Sequence, residues 1–136
     1  MPYYFEFDTG NRILPGTLEG RITDAEVGEI YRLMSRYVAS LNPAAGIFDA
    51  SGVASFDVST DTIQYLAACD PPFPPGKPRY IVAPADFLFG MARMFQILGE
   101  EKRQDLRVVH SAEEVYRELG VASVCFHRVQ LEGRSA

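Results

Sequence analysis

The sequence predicts an α/β domain with a mixed sheet of about five strands, an opening antiparallel hairpin, parallel βαβ units and about four helices. Three observations predict it. Short stretches rich in β-branched and aromatic residues sit between turns that contain Gly, Pro or Asn. Longer stretches carry apolar residues at helical spacing, two of them behind a capping box. Over the later two thirds of the chain the two kinds alternate, the order that parallel strands with helical crossovers require.

The elements follow in order. Residues 3–8 and 12–19, joined through Thr9, Gly10 and Asn11, read as the hairpin. In TDAE, residues 23–26, Thr23 caps a helix start and Glu26 reaches back to it. Val27, Ile30, Tyr31, Met34, Val38 and Leu41 then recur on one helical face, with Glu29, Arg32 and Arg36 opposite, until Asn42 and Pro43 end the helix. AAGIFDA, residues 44–50, reads as a short buried strand, followed by a turn over 51–56 and a helix over 59–69 with Ile63, Leu66 and Ala67 on one face. Residues 70–79, DPPFPPGKPR, hold five prolines and predict a stiff, extended connector. A strand over 79–83, an apolar helix over 86–99, a strand over 106–110 and a helix after the Ser111 to Glu114 capping box complete the alternation, with Gly120 as its stop. Residues 121–129 read as a last strand or short helix, and 130–136 as a polar tail outside a single domain of residues 1–129.

At 136 residues the chain is long enough to bury about two thirds of its unfolded surface, so it needs no metal or disulfide to fold. The net charge of -5, with no basic run longer than two residues, excludes a phosphate-backbone partner such as nucleic acid. Cys69 and Cys125 are far apart and lack ligand spacing, so two buried thiols are expected and no metal. No secretory signal pattern precedes residue 13, and the apolar run from Phe87 to Leu98 is broken by Arg93 and shorter than the roughly 20 residues of a membrane span, so a soluble cytoplasmic protein is expected. No phosphate loop, dinucleotide fingerprint, serine elbow or zinc-helix motif is present, and no cofactor is expected. Asp49, Asp57 and His110 are the residues from which an acid–base site would have to be built, and the expectation is a protein without enzymatic activity.

One stretch carries a resemblance. IFDASGVASFDVST, residues 47–60, resembles the strand, turn and helix start of STAS domains, the anti-sigma-factor antagonist family, whose pattern runs apolar strand, D-L-S-G-V, then apolar-D-S-S-G. Asp49, Ser51, Gly52, Val53, Phe56, Asp57 and Ser59 fall on matching positions, while Val58 replaces the first serine and Thr60 the glycine. GMARMFQ, residues 90–96, and the proline connector are similar to a divergent SpoIIAA-like group of small bacterial proteins. The resemblance implies a regulatory signalling domain that acts through protein–protein contacts, with Ser59 as phosphoacceptor, Asp49, Ser51, Asp57 and Thr60 around it as a switch loop, and a kinase-like regulator as partner.

Two readings of Ser59 stand side by side. A phosphate at a helix start meets unpaired backbone N–H groups and the positive end of the helix dipole, while Asp57 would oppose it. The simpler reading is a helix cap, worth about 1 kcal/mol. The 86–99 helix raises a different question, because Phe87, Met91, Met94, Phe95 and Leu98 span too wide an arc for one core. Its Arg93, on a face with Asp86, Gly90, Gln96 and Glu100 and with Phe89 nearby, reads as a solvated charge paired to Asp86 or Glu100, or else as an interface or anion-binding arginine. Such an arc predicts either a homodimer or a pocket for a small apolar or amphipathic ligand, bordered by this helix and by Phe73, which acts as lid or as anchor. Lipid-binding CRAL-TRIO domains in the wider fold neighbourhood supply an analogy for the pocket. A cavity bounded by Phe73, Met91 and Phe95 favours the ligand; an exposed Ser59 without a cavity favours the switch.

Overall fold

In the computed structural model, residues 2–130 are described. The elements run β1 (Tyr3–Phe7), β2 (Ile13–Thr23), α1 (Asp24–Leu41), β3 (Ala45–Asp57), α2 (Thr60–Ala68), β4 (Arg79–Val82), α3 (Asp86–Leu98), β5 (Leu106–Val109), α4 (Ala112–Leu119) and β6 (His127–Arg128). They form one six-stranded sheet in the order β5-β4-β3-β2-β1-β6. β1 runs antiparallel to β2 and β6, and β2 to β5 are mutually parallel. The mixed α/β class, the opening hairpin and the helices are as the sequence predicts. The sixth strand is the two-residue β6, which pairs Arg128 with Glu6 and His127 with Phe7. Apart from Gln130, the expected tail over 130–136 lies outside the described residues.

Local chemistry explains most boundaries. The hairpin turns on Asp8, whose carboxylate accepts from the Gly10 and Asn11 amides at 2.9 and 3.1 Å and from Asn11 Nδ2 at 2.7 Å. That closed set of donors lets a 3% exposed carboxylate sit in the turn, and it also takes the Cys125 amide at 3.2 Å, tying the C-terminal segment down. These hydrogen bonds, the Asn11 side chain first, hold the Asp8 carboxyl below its ordinary value against the opposing effect of burial. At α1, Glu26 Oε1 accepts from the Thr23 amide at 2.9 Å, and Asn42 closes the helix in the left-handed region at φ 48°. At α4, the Glu114 carboxylate accepts from the Ser111 amide at 3.1 Å, and Gly120 at φ 71° is the left-handed stop.

The sheet separates two cores. Tyr3, Phe5, Phe7, Leu14, Leu18 and Ile22 face α1, whose Ile30, Met34, Tyr37 and Val38 are buried against them, together with Ile63 of α2 and Phe73. Ile13, Ala45, Ile47, Tyr80, Val82 and Val109 face the other way, toward Val115 of α4 and the segment carrying Val121, Val124 and Phe126. The alternation along β2, Ile13 to one core and Leu14 to the other, is the period-two geometry of a strand buried on both faces.

Three expectations are corrected. No turn interrupts 51–56: β3 is continuous to Asp57 because β2 runs on to Thr23 and keeps pairing with it. Between the pairs Thr17–Asp49 and Glu19–Gly52, and again between Gly20–Val53 and Arg21–Ser55, β3 has one residue more than β2, so the Asp-Ala-Ser-Gly signal marks a bulge instead of a chain reversal. Ser51 donates from both its amide and its hydroxyl to Asp49 Oδ1, at 2.9 and 2.6 Å, which stabilises that bulge. The cysteines are not buried thiols: Cys69 is half-buried and Cys125 is exposed, its Sγ 3.5 Å from His127 Nε2. Arg93 is exposed, and its side-chain partner is Gln96, not Asp86 or Glu100.

Candidate functional site

A cavity of about 140 Å3, open to solvent on one side, lies on the α1–α2–α3 face of the sheet. Phe48, Ala50 and Phe56 of β3, Ile63 and Leu66 of α2, Phe73 of the proline connector, and Leu88, Met91, Ala92 and Phe95 of α3 line it. Phe73 is 2% exposed and lies against β3 so closely that a Cβ on Gly46 would stand 2.2 Å from its ring. Only a glycine permits that approach. The proline connector therefore anchors to the sheet through the same ring that forms a pocket wall.

Two arginines reach this apolar site. Arg103, 3% exposed, donates to the carbonyls of Ala67, Leu66 and Cys69 at 2.8, 2.9 and 2.9 Å and to the Tyr31 hydroxyl at 2.6 Å. It thus supplies donors to carbonyls at the C-terminal end of α2, of which that of Leu66 also accepts from the Cys69 amide at 3.1 Å, and a positive charge there suits the helix dipole. Its guanidinium lies 4.7 Å from the centre of the Phe95 ring. Gly99 makes room for it, since a Cβ there would stand 2.7 Å from Arg103 Nη1 and 2.9 Å from the Ala67 carbonyl. Arg79, the first residue of β4, is 6% exposed, lines the cavity, and has a buried Nε without a hydrogen-bond partner among the described residues. Burial first, and then the neighbouring Arg103 charge, pushes the Arg79 guanidinium below its ordinary value, while the Asp105 carboxylate acts in the opposite direction.

The residues of the candidate switch divide between two places. Ser59 is exposed at the N-cap of α2, with its Oγ accepting from the Thr62 amide at 3.2 Å and its own amide donating to Asp24 Oδ1 at 2.8 Å. Thr60 opens the helix beside it, and Asp57 ends β3 in an exposed ion pair with Arg21 at 2.7 Å, a contact that holds the Asp57 carboxyl below its ordinary value. Asp49 and Ser51 lie farther back along β3, at its first bulge, so they do not belong to the α2 junction. Of the α3 residues, Met91 and Phe95 line the cavity, Met94 packs against the α1-side core, and Phe89 stacks on His110 with ring centres 4.1 Å apart. Asp49, Asp57 and His110 each have different partners: Ser51, Arg21 and Phe89.

Sequence reasoning missed both arginines. Arg103 sits in the charged run EEKRQD, and Arg79 lies where the proline connector meets the strand over 79–83. The signal available for Arg79 was its place at the head of a buried apolar strand. Among the described residues no helix is long and apolar enough to cross a membrane, and no group of three or more His, Cys, Asp or Glu side chains is placed to hold a metal ion.

Fold and site together define a mixed-sheet α/β protein with a half-open apolar pocket floored by two buried arginines. No family model and no curated protein matches the chain. In structure it is similar to the Bacillus cell fate determinant SpoIIAA in its phosphorylated form, at 16% sequence identity and a TM-score of 0.51, over 85% of this chain and 98% of that one. The chain has the SpoIIAA-like, STAS-type fold, as the 47–60 stretch led us to expect.

Proposed function

We propose that the protein is a non-enzymatic binding module for a small apolar or amphipathic ligand. The cavity bounded by Phe73, Met91 and Phe95 carries this reading. An apolar cavity of about 150 Å3 holds a molecule the size of benzene, so this one has room for about six carbon atoms, with the open side free for a longer tail. Titration with 1-octanol, followed through the methyl resonances of Ile63, Met91 and Ala92, tests it. Saturable shifts confined to these methyls are expected; unmoved pocket methyls would sink the reading.

A second reading, regulation through a protein partner with Ser59 as switch, is favoured by a separate observation. Ser59 is exposed at a helix N-cap, in a fold shared with a protein whose phosphorylated form has been solved. A phosphate on its Oγ would gain the N-terminal amides of α2 and face the carboxylates of Asp24, Asp57 and Asp61. α2 also supplies Ile63 and Leu66 to the pocket wall, so a charge placed at Ser59 and a ligand in the pocket act on one helix. Peptide mass spectrometry of cytoplasmic protein from its own host, with Ser59→Ala as control, tests the switch: an unmodified peptide under every growth condition leaves Ser59 a cap. Pairing of two copies through α3 belongs to this regulatory reading, since Phe87, Ile97 and Leu98 are exposed at 65%, 57% and 50%. A monomer by sedimentation equilibrium removes it.

A further inference from the structure

We infer that the pocket selects a ligand with a single carboxylate head, held by Arg79 as counter-ion while the apolar body fills the space against Phe73, Met91 and Phe95. This rests on the ligand-binding reading and gives it a chemical class. A buried guanidinium is expected to be ion-paired or fully hydrogen-bonded, because taking a charge out of water costs several kcal/mol per ion. Arg103 meets that expectation through the carbonyls of α2 and Tyr31. Arg79 does not: it is 6% exposed, its Nε has no partner among the described residues, and it borders a cavity lined otherwise by apolar groups, Tyr31 and Arg103.

The charge of the ligand follows from what surrounds the floor. Arg79 and Arg103 bring two positive charges, and the carboxylate acting on Arg79 through space is Asp105, which already accepts from the Gly76 amide at 2.8 Å. Two cations and one anion leave one positive charge uncompensated. A monoanion balances it. A phosphate dianion would exceed it, and the donors of Arg103 are already directed at the end of α2. A neutral head such as a hydroxyl would leave the Arg79 charge unpaired, so head-group discrimination is the property to measure. A planar carboxylate also suits the planar guanidinium fork, which binds it through parallel charge-assisted hydrogen bonds.

The experiment compares octanoate, 1-octanol and octyl phosphate by calorimetric titration on the intact protein and on the Arg79→Met variant. Octanoate is expected to bind the native protein about tenfold or more tighter than 1-octanol and tighter than octyl phosphate. In Arg79→Met the preference over the alcohol should fall below about twofold, with alcohol affinity retained. Equal affinity of octanoate and octanol for the native protein overturns the carboxylate inference and leaves the ligand reading standing. Tighter binding of octyl phosphate overturns it in favour of a phosphate head. No binding of any of the three overturns inference and reading together. These head-group comparisons are made on the native protein, so they hold even if the variant does not fold.

Discussion

The two faces of the sheet are built to different standards. On the α4 face, Ile13, Ala45, Ile47, Tyr80, Val82, Val109 and Val115 form a smaller core, with Val82 and Val115 fully buried. On the α1–α3 face the larger aromatic core gives way near α3 to a cavity with two buried guanidiniums, one satisfied and one not. A buried guanidinium whose Nε has no hydrogen-bond partner among the described residues, beside a half-open cavity of about 140 Å3, is a departure that stability alone does not favour. The difference teaches where to look for function: both faces hold the fold, and the candidate site is on the face of α1, α2 and α3.

Substitutions sharpen that contrast. The largest loss is expected at the anchor of the α1–α3 face: Phe73→Ala should cost about 4 kcal/mol in urea denaturation, because it empties a fully buried ring site and frees the proline connector from Gly46. Next comes the pair of arginines. Arg103→Met should cost about 3 kcal/mol by removing the donors of the Ala67 and Cys69 carbonyls, whereas Arg79→Met should be neutral or raise Tm, since it replaces a buried guanidinium whose Nε has no hydrogen-bond partner among the described residues by an apolar chain of similar length. Equal losses at the two positions would break the distinction between them. Third, Val115→Ala on the α4 face should cost about 2 kcal/mol, while Met91→Ala, which only widens an existing cavity, should cost about 1 kcal/mol or less.

The smallest effect concerns pH and the hairpin edge shared by both faces. The Asp8 carboxyl is lowered in the folded protein, so its contribution is fully present above the ordinary carboxylate value of about 4 and is lost as the pH falls through the folded value. Urea midpoints measured from pH 6 downward should therefore decline more steeply for the native protein than for Asp8→Asn, which keeps an acceptor for the turn amides but has no proton to gain. Parallel declines would show that Asp8 does not contribute to the acid sensitivity.

The site was partly legible in the chain. The wide apolar arc of α3 pointed to either a homodimer or a pocket bordered by Phe73, and Met91, Phe95 and Phe73 line the cavity. Met94 and Phe89 went elsewhere, to the α1-side core and to His110, because helical spacing fixes which residues share a face but not what that face meets. The 51–56 stretch misled because Asp, Ser and Gly mark bulges as well as turns, and a bulge exists only where a second strand continues alongside.

What the sequence determined by itself is the set of local structures. Capping boxes at Thr23 and Ser111, the left-handed stops at Asn42 and Gly120, the Asp8 turn and the helical or alternating placement of apolar residues act within a few positions of one another, so they are written in order along the chain. Only the tertiary structure decided the bulged pairing of β3 with β2, the seat of Phe73 on Gly46 and the burial of Arg79 and Arg103. Each depends on what a distant segment brings alongside. A lone arginine reads the same in any sequence until the surrounding elements remove its water, and it is that removal that turns Arg79 from a surface charge into the candidate floor of a binding site.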